Sequence, residues 1–429
     1  MKKRSNMQKN YDVVIVGGGM VGSLLACALG DSHLKIAVLE RVPPAAPPVE
    51  DYDLRVSAIT LASSTVFRAV GAWPGIERRR ISELREMRVW DASGAGTIHF
   101  DSADIGEPRL GYIIENGVIV AALRERLQQF ANVDYRCPAD IAEIVVECAH
   151  MSTGEPGATR SRAAPGEVSV ALKDGQHIKA RVLIGADGAH SLVRRTLGVE
   201  SVSLDLRQKG IVATVATERA HEHIAWQRFL PTGPLAFLPL GDSHMSSIVW
   251  SADRPRADEL LGLDDAAFLA QLQAASSDCL GEIASVGTRA AFPLALSHAQ
   301  RYTAARVALV GDAAHIVHPL AGQGVNLGFM DAATLAEVIL DASVRKRDIG
   351  TIDVLRRYER WRKADNLAML AVTGAFRYLF GSTWPALSAL RNLGLGLTNA
   401  AAPVKNLIMR HACGLDGDLP RLARRPLQQ

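Results

Sequence analysis

The chain has 429 residues, 48% of them hydrophobic and 22% charged, with a formal net charge of +3. That balance excludes a disordered, fibrous or collagen-like protein, and the length exceeds the roughly 250–300 residues at which one core stops growing, so two or three domains are expected. From Arg345 onward there are 15 Lys/Arg against 6 Asp/Glu, which makes the basic excess local. Solvated helix faces are the plain reading of that excess, and contact with an anionic membrane surface or acidic partner the sharper one. Nucleic acid is excluded as a partner, because aromatic residues are few and no binding motif accompanies the charge.

The cysteines Cys27, Cys137, Cys148, Cys279 and Cys413 are odd in number and scattered, without zinc or disulfide spacing, which suits a reducing cytoplasm. The basic start followed by apolar residues has the outline of a secretory signal. Asp12, three glycines and a following strand, "KIAVLE", argue against one. No run of about 18 apolar residues occurs, so no transmembrane span is expected.

In chain order, residues 11–16 form an apolar run, 20–29 a helical pattern and 35–39 a second β-rich run, which is a βαβ unit. Residues 43–53, "PPAAPPVEDYD", are a rigid connection, and a helix is expected over 57–70. Strands are expected near 88–100, and "GYIIENGVIVAALRERLQQF" reads as a strand end entering a helix. Residues 151–167 form a low-complexity loop, after which "ARVLIGADGA" is a strand leading to a helix at Ser191. Alternation over 210–291 predicts an antiparallel sheet with a helical insertion near 258–275, and beyond residue 333 the chain is helical to near Leu415. The pieces imply a nucleotide-binding domain in discontinuous segments, interrupted by a mixed-sheet domain and closed by C-terminal helices.

Gly17-x-Gly19-x-x-Gly22 follows the first strand and opens the first helix. Glycine there permits a tight turn, close backbone approach to a pyrophosphate and tight helix–strand packing, while the helix-end amides face the anion. Glu40 ends the second strand, 18 residues beyond Gly22, where an acid can bond both hydroxyls of an unphosphorylated ribose. NAD and FAD both satisfy this motif. Two further strand ends carry Asp187-Gly188, in "GADGAHSLVRR", and Gly311-Asp312, in "VALVGDAAHIVHPLAGQGVNLGFMDAA". An elongated ligand touched along its length is implied, and FAD is the longer of the two.

These three motifs together resemble the class A FAD-dependent aromatic hydroxylases. "LRVSAIT" at 54–60, "LGYIIENGVI" at 110–119, "SIVWS" at 247–251 and "AGQGVNLGFMDA" narrow the resemblance to the ubiquinone-biosynthesis hydroxylases, over most of the chain. The resemblance implies an α/β fold: a Rossmann-like FAD-binding domain of the para-hydroxybenzoate hydroxylase type, a mixed-sheet substrate domain and C-terminal helices. The expected segments are 1–80, 105–200 and 285–345 for FAD binding, 81–104 and 201–284 for substrate, and 346–429 for the helices.

The same resemblance places Gly17, Gly19, Gly22, Glu40 and Arg41 at the ADP half of FAD, and Arg55 over the flavin side. Gly311 and Asp312 fall at the ribityl chain. Asp187 belongs to a motif associated with both FAD and nicotinamide. Gly322, Gln323, Gly324, Val325 and Asn326 would put backbone amides and a helix N-terminus at the electron-rich edge of the reduced flavin, with Pro319 fixing the turn above it. Pro319, Gly322, Gln323 and Gly324 are thereby the candidate catalytic loop. The implied reaction takes NADH or NADPH as co-substrate and passes one oxygen of O2, through a flavin C4a-hydroperoxide, to the ring of a polyprenylated phenol or quinol. A hydroxylase of small soluble aromatics and a non-catalytic flavoprotein scaffold are the rivals.

His315 and His318 stand three apart beside an aspartate, but without further ligands they make no metal site and are expected to brace the flavin loop. Asp187, His190 and Ser191 lie on one short turn and cannot form a hydrolase triad. Arg194 and Arg195 are expected to be solvated or phosphate-facing. Trp226, Phe229, Phe237, Met245 and Trp250 are core residues by default, with some candidates for a ring pocket. Arg377, Arg391, Lys405 and Arg410 are expected to help the C-terminal segment sit on a membrane or in an assembly with other ubiquinone-biosynthesis proteins. A homo-oligomer is expected, in the cytoplasm or peripheral on the inner membrane face.

Overall fold

The computed structural model describes residues 9–45, 51–94, 96–147, 166–318, 323–381 and 385–425. The strand Lys9–Val16 occupies the middle of a first sheet, parallel to Ile36–Leu39 on one side and to His177–Gly185 on the other. Val133–Arg136 and Val307–Leu309 extend the parallel order outward at either end. Parallel strands are covered on both faces, which is why residues 13–16 and 36–39 are buried without alternation. The helix Met20–Leu29 packs against the long helix Gln323–Val344. The approach is close: a Cβ on Gly328 would stand 2.8 Å from Val21 Cγ2 and 3.3 Å from Gly311 Cα.

A second sheet is mixed. Its order runs His315–Ile316, Ala290–Ala299, Ser201–Thr217, Met245–Asp253, Gly233–Pro239, Ile224–Leu230, Glu86–Asp91 and Thr97–Asp101. Ile224–Leu230 and Glu86–Asp91 are parallel, and the other neighbours in this order antiparallel. One face is sealed by the helices Arg254–Gly262 and Asp265–Ser276, two helices where one insertion was expected. Trp226, Phe237 and Trp250 point to that sealed core, in line with their default assignment, whereas Phe229 packs on the other face against Phe380, with ring centroids 3.8 Å apart.

The helix expected over 57–70 begins later. Val56–Thr60 is a strand paired antiparallel with Gly111–Glu115, and the helix is Leu61–Ala69. Alternating burial along Val-Ser-Ala-Ile-Thr is a strand pattern, and the Thr60 hydroxyl oxygen, accepting the Ser63 N–H at 3.2 Å, marks the true helix start. The loop expected over 151–167 lies almost wholly outside the described residues.

The C-terminal helices are Ile352–Gly381, Pro385–Ala400 and Ala402–Ala412. Three basic side chains expected to meet a membrane hold protein instead. Arg391 is buried against Asp91 and donates to Leu379 O at 3.1 Å and Ser93 Oγ at 2.6 Å. Lys405 pairs with Asp104 at 2.8 Å, and Arg410 with Asp416 at 2.8 Å. The Arg377 side chain is not among those described.

Candidate active site

The loop after the first strand is shaped by three different glycine constraints. Gly17 has φ +103°, and a Cβ there would lie 2.4 Å from Ala186 O; a Cβ on Gly22 would lie 2.0 Å from Gly17 O. At Gly19 a Cβ would meet nothing within 4 Å. Gly19 is also the N-cap of Met20–Leu29, with no side-chain cap and no acid in the first turn, so an anion beside it would meet a free helix start. Gly18, between the motif positions, has no room either, with Tyr135 Oη 2.6 Å from a built Cβ. The sequence pattern gave no reason to single it out.

Glu40 is fixed beside this loop. Its Oε2 accepts the Gly18 N–H at 2.6 Å and its Oε1 the Val42 N–H at 3.0 Å. Arg41 follows it, exposed.

The second strand end is tied internally. Asp187 Oδ2 accepts the N–H groups of Leu192 at 2.6 Å and Val193 at 3.2 Å, while its buried Oδ1 has no partner among the described residues. Arg194 is part-buried and bridges two loops: Nη1 donates to Ala313 O at 2.8 Å and Nη2 to Ala189 O at 2.7 Å. It thus joins the Asp187 loop to the Gly311–Ala313 turn, and its desolvation lowers the guanidinium's proton affinity.

At that turn Gly311 has φ +59°, and its N–H donates to Asp331 Oδ2 at 3.1 Å. Asp331, 0% exposed, also meets His315 Nε2 at 2.5 Å, Arg362 Nε at 3.0 Å and Asn366 Nδ2 at 3.2 Å. Burial alone would raise its carboxyl; the charge and hydrogen bond of His315, with Arg362 and Asn366, outweigh burial and hold it at about 2. His315 therefore does brace the Gly-Asp turn, but through an aspartate and an arginine that the sequence reading did not identify.

Asp312, one residue on, has its side chain exposed, yet surrounding protein raises its carboxyl, with His315 and Arg55 pulling the other way. Arg55 reaches toward the same region, its guanidinium 4.8 Å from the Phe292 ring on the second sheet.

Pro319 and Gly322 lie outside the described residues, and of Gln323 only the helical backbone is described. Gly324 and Val325 occupy the first turn of Gln323–Val344. Asn326 is buried: its Oδ1 accepts the Thr60 N–H at 3.0 Å and the Ser63 hydroxyl at 2.7 Å, and its Nδ2 donates to Ala58 O at 2.7 Å. That side chain anchors the helix start to Val56–Thr60.

Known proteins share this architecture. Residues 10–370 match the FAD binding domain family. The mitochondrial ubiquinone biosynthesis monooxygenase COQ6 of Xenopus tropicalis is 39% identical, covering 94% of this chain and 93% of its own. Ubiquinone hydroxylase UbiL of Rhodospirillum rubrum is 38% identical, covering 97% and 93%. The crystal structure of p-nitrophenol 4-monooxygenase PnpA from Pseudomonas putida superposes with a TM-score of 0.74 at 20% identity, covering 96% of this chain and 99% of that one, which speaks to the fold alone. With FAD as its cofactor, the chain belongs to the FAD binding domain family and, within it, to the ubiquinone-biosynthesis hydroxylases, FAD-dependent aromatic-ring monooxygenases.

Proposed function

We propose that this enzyme hydroxylates the aromatic ring of a polyprenylated phenol or quinol on the way to ubiquinone, with O2 as oxygen donor and NADH or NADPH as reductant. The observation that carries this reading is its end-to-end likeness to COQ6 and UbiL. Residues present fit the cofactor: the uncapped helix start at Gly19 suits the pyrophosphate, Glu40 the adenosine ribose, and the exposed carboxylate of Asp312 the ribityl hydroxyls. FAD, when bound, supplies oxygen activation and transfer; the chain's residues hold it, orient the ring and exclude water. Asp331, His315 and Arg362 keep the Gly311 turn in place, and Asn326 keeps the helix start beside it.

The half-open face of the second sheet supports a ring pocket. Ala236, Leu238 and Val249 on it are only partly buried, whereas Leu235, Phe237, Ile248 and Trp250 on the opposite face are closed off. A prenyl tail lives in a bilayer, and the C-terminal helices carry apolar residues turned outward: Leu393 and Leu397 on one, Val404, Leu407 and Ile408 on the next. From residue 366 to 415 the sequence contains no Asp or Glu. No described helix is long and apolar enough to cross a membrane, so peripheral attachment through this face is the reading we adopt.

The test is turnover by purified holoenzyme with NADH or NADPH, comparing a prenylated phenol with simple phenols, and mass spectrometry of quinone intermediates in a deletion strain. Hydroxylation of the prenylated ring and accumulation of an intermediate lacking one ring oxygen are expected. Turnover of simple phenols alone, with no intermediate accumulating, would refute the proposal.

A further inference from the structure

The pairing register of the second sheet places Gln227, Ala236, Val249 and Val212 in one row across four neighbouring strands, so their side chains share the half-open face. Phe229, two residues beyond Gln227, stands on that face against Phe380. The row beside it contains Gly210 and Phe292, and Phe292 lies under Arg55. The face is therefore walled at one end by the Phe229–Phe380 pair and leads at the other toward Arg55, whose charge also acts on Asp312. Between them the floor is built from the short side chains of Ala236, Val249 and Val212.

Gln227 is 6% exposed, its backbone is paired in the sheet, and its side-chain amide makes no hydrogen bond among the described residues. A side-chain amide in this position, largely covered and without a protein partner, is open to a hydrogen bond from whatever occupies the face. Its atoms are not sealed in the core, in contrast to the buried unpartnered Trp226 Nε1 on the other face. A glutamine amide offers both an acceptor and donors, the pair of functions a ring hydroxyl needs in its protonated and deprotonated forms.

We propose that Gln227 contacts the substrate and sets the ring's position: Oε1 accepts the phenolic O–H, and Nε2–H donates to the same oxygen when it is deprotonated. This rests on the phenol reading above and adds the residue that reads the hydroxyl. Aligning the ring by its oxygen fixes which carbon faces the flavin, which makes Gln227 a determinant of the ring position attacked.

The probes are a phenol bearing a short prenyl tail and its O-methyl ether, titrated into holoenzyme by flavin absorbance and fluorescence, with product and hydrogen peroxide measured per reductant oxidised. Wild type is expected to prefer the phenol by roughly tenfold, the value of one buried hydrogen bond. Gln227→Leu should retain FAD and the affinity for the ether, lose the preference, and release more peroxide per product. Should Gln227→Leu fail to hold FAD, Gln227→Asn keeps an amide one methylene short of the hydroxyl and should show the same lost preference. An unchanged preference in whichever variant holds FAD overturns this inference alone. Wild-type holoenzyme that binds neither probe overturns the substrate reading, and this inference with it.

Discussion

Gly19 and Gly22 occupy equivalent places in a glycine motif for opposite reasons. Gly22 is required by packing, since its Cβ would fall 2.0 Å from Gly17 O, whereas Gly19 borders open space. Gly22→Ala should therefore lower stability by about 1–3 kcal/mol in chemical unfolding. Gly19→Ala should fold normally but hold FAD about tenfold or more less tightly in a fluorescence titration, the loss of a charge-assisted amide contact. Asp331 gives a prediction with a sign. Its carboxyl, ordinarily near 3.8, is held at about 2 in the fold, so its ionisation contributes stability above about pH 4 that is lost as pH falls from there toward 2. The contribution is about 2 kcal/mol. Asp331→Asn should abolish that dependence across a pH series of urea unfolding curves, and at neutral pH should cost about 1–3 kcal/mol, because Arg362 loses its buried partner but keeps Asp365.

Among elements, the helix Gln323–Val344 matters most for the site, and its first turn is tied to the neighbouring strand by one side chain. Asn326 satisfies the Thr60 N–H and Ala58 O across the gap to Val56–Thr60. Asn326→Ala should cost about 1–3 kcal/mol and weaken FAD binding in the same preparation; unaltered flavin affinity would separate the anchor from the cofactor site. The helix itself was legible from its Ala/Leu periodicity, and so were the strand ends at Gly185 and Leu309, because buried parallel strands are unbroken apolar runs. The misplaced helix start at Ser57 has an equally local cause: five residues of alternating burial are too short a signal until Gly111–Glu115 pairs with them. The bridging contact of Arg194 could not be read locally, since its acceptor on Ala313 lies 119 residues away.

For the molecule as a whole, charge count misled where burial informs. The basic C-terminal positions are turned to Asp91, Asp104 and Asp416, while Leu393, Leu397 and Leu407 remain 58%, 61% and 64% exposed. Replacing these three leucines with glutamate should leave FAD content and midpoint of unfolding nearly unchanged, because they support no core, and should reduce flotation with phospholipid vesicles at least about tenfold, each losing roughly 1 kcal/mol of apolar contact. Undiminished flotation would move the membrane reading off this face.

What could be read without coordinates was chemistry written in short-range order: a glycine turn between strand and helix, an acid at the next strand end, a Gly-Asp before a helix. These follow from steric and hydrogen-bonding rules acting over a few residues. What required the folded chain was every partnership across distance. The Asp331–His315–Arg362 cluster draws on a short strand and two helices, Gln227 gains meaning only from the register of four strands, and Arg391 is drawn inward by an aspartate 300 residues earlier. Burial and pairing are properties of the assembled packing, and residue spacing along the chain carries no trace of which distant group will arrive to satisfy a charge.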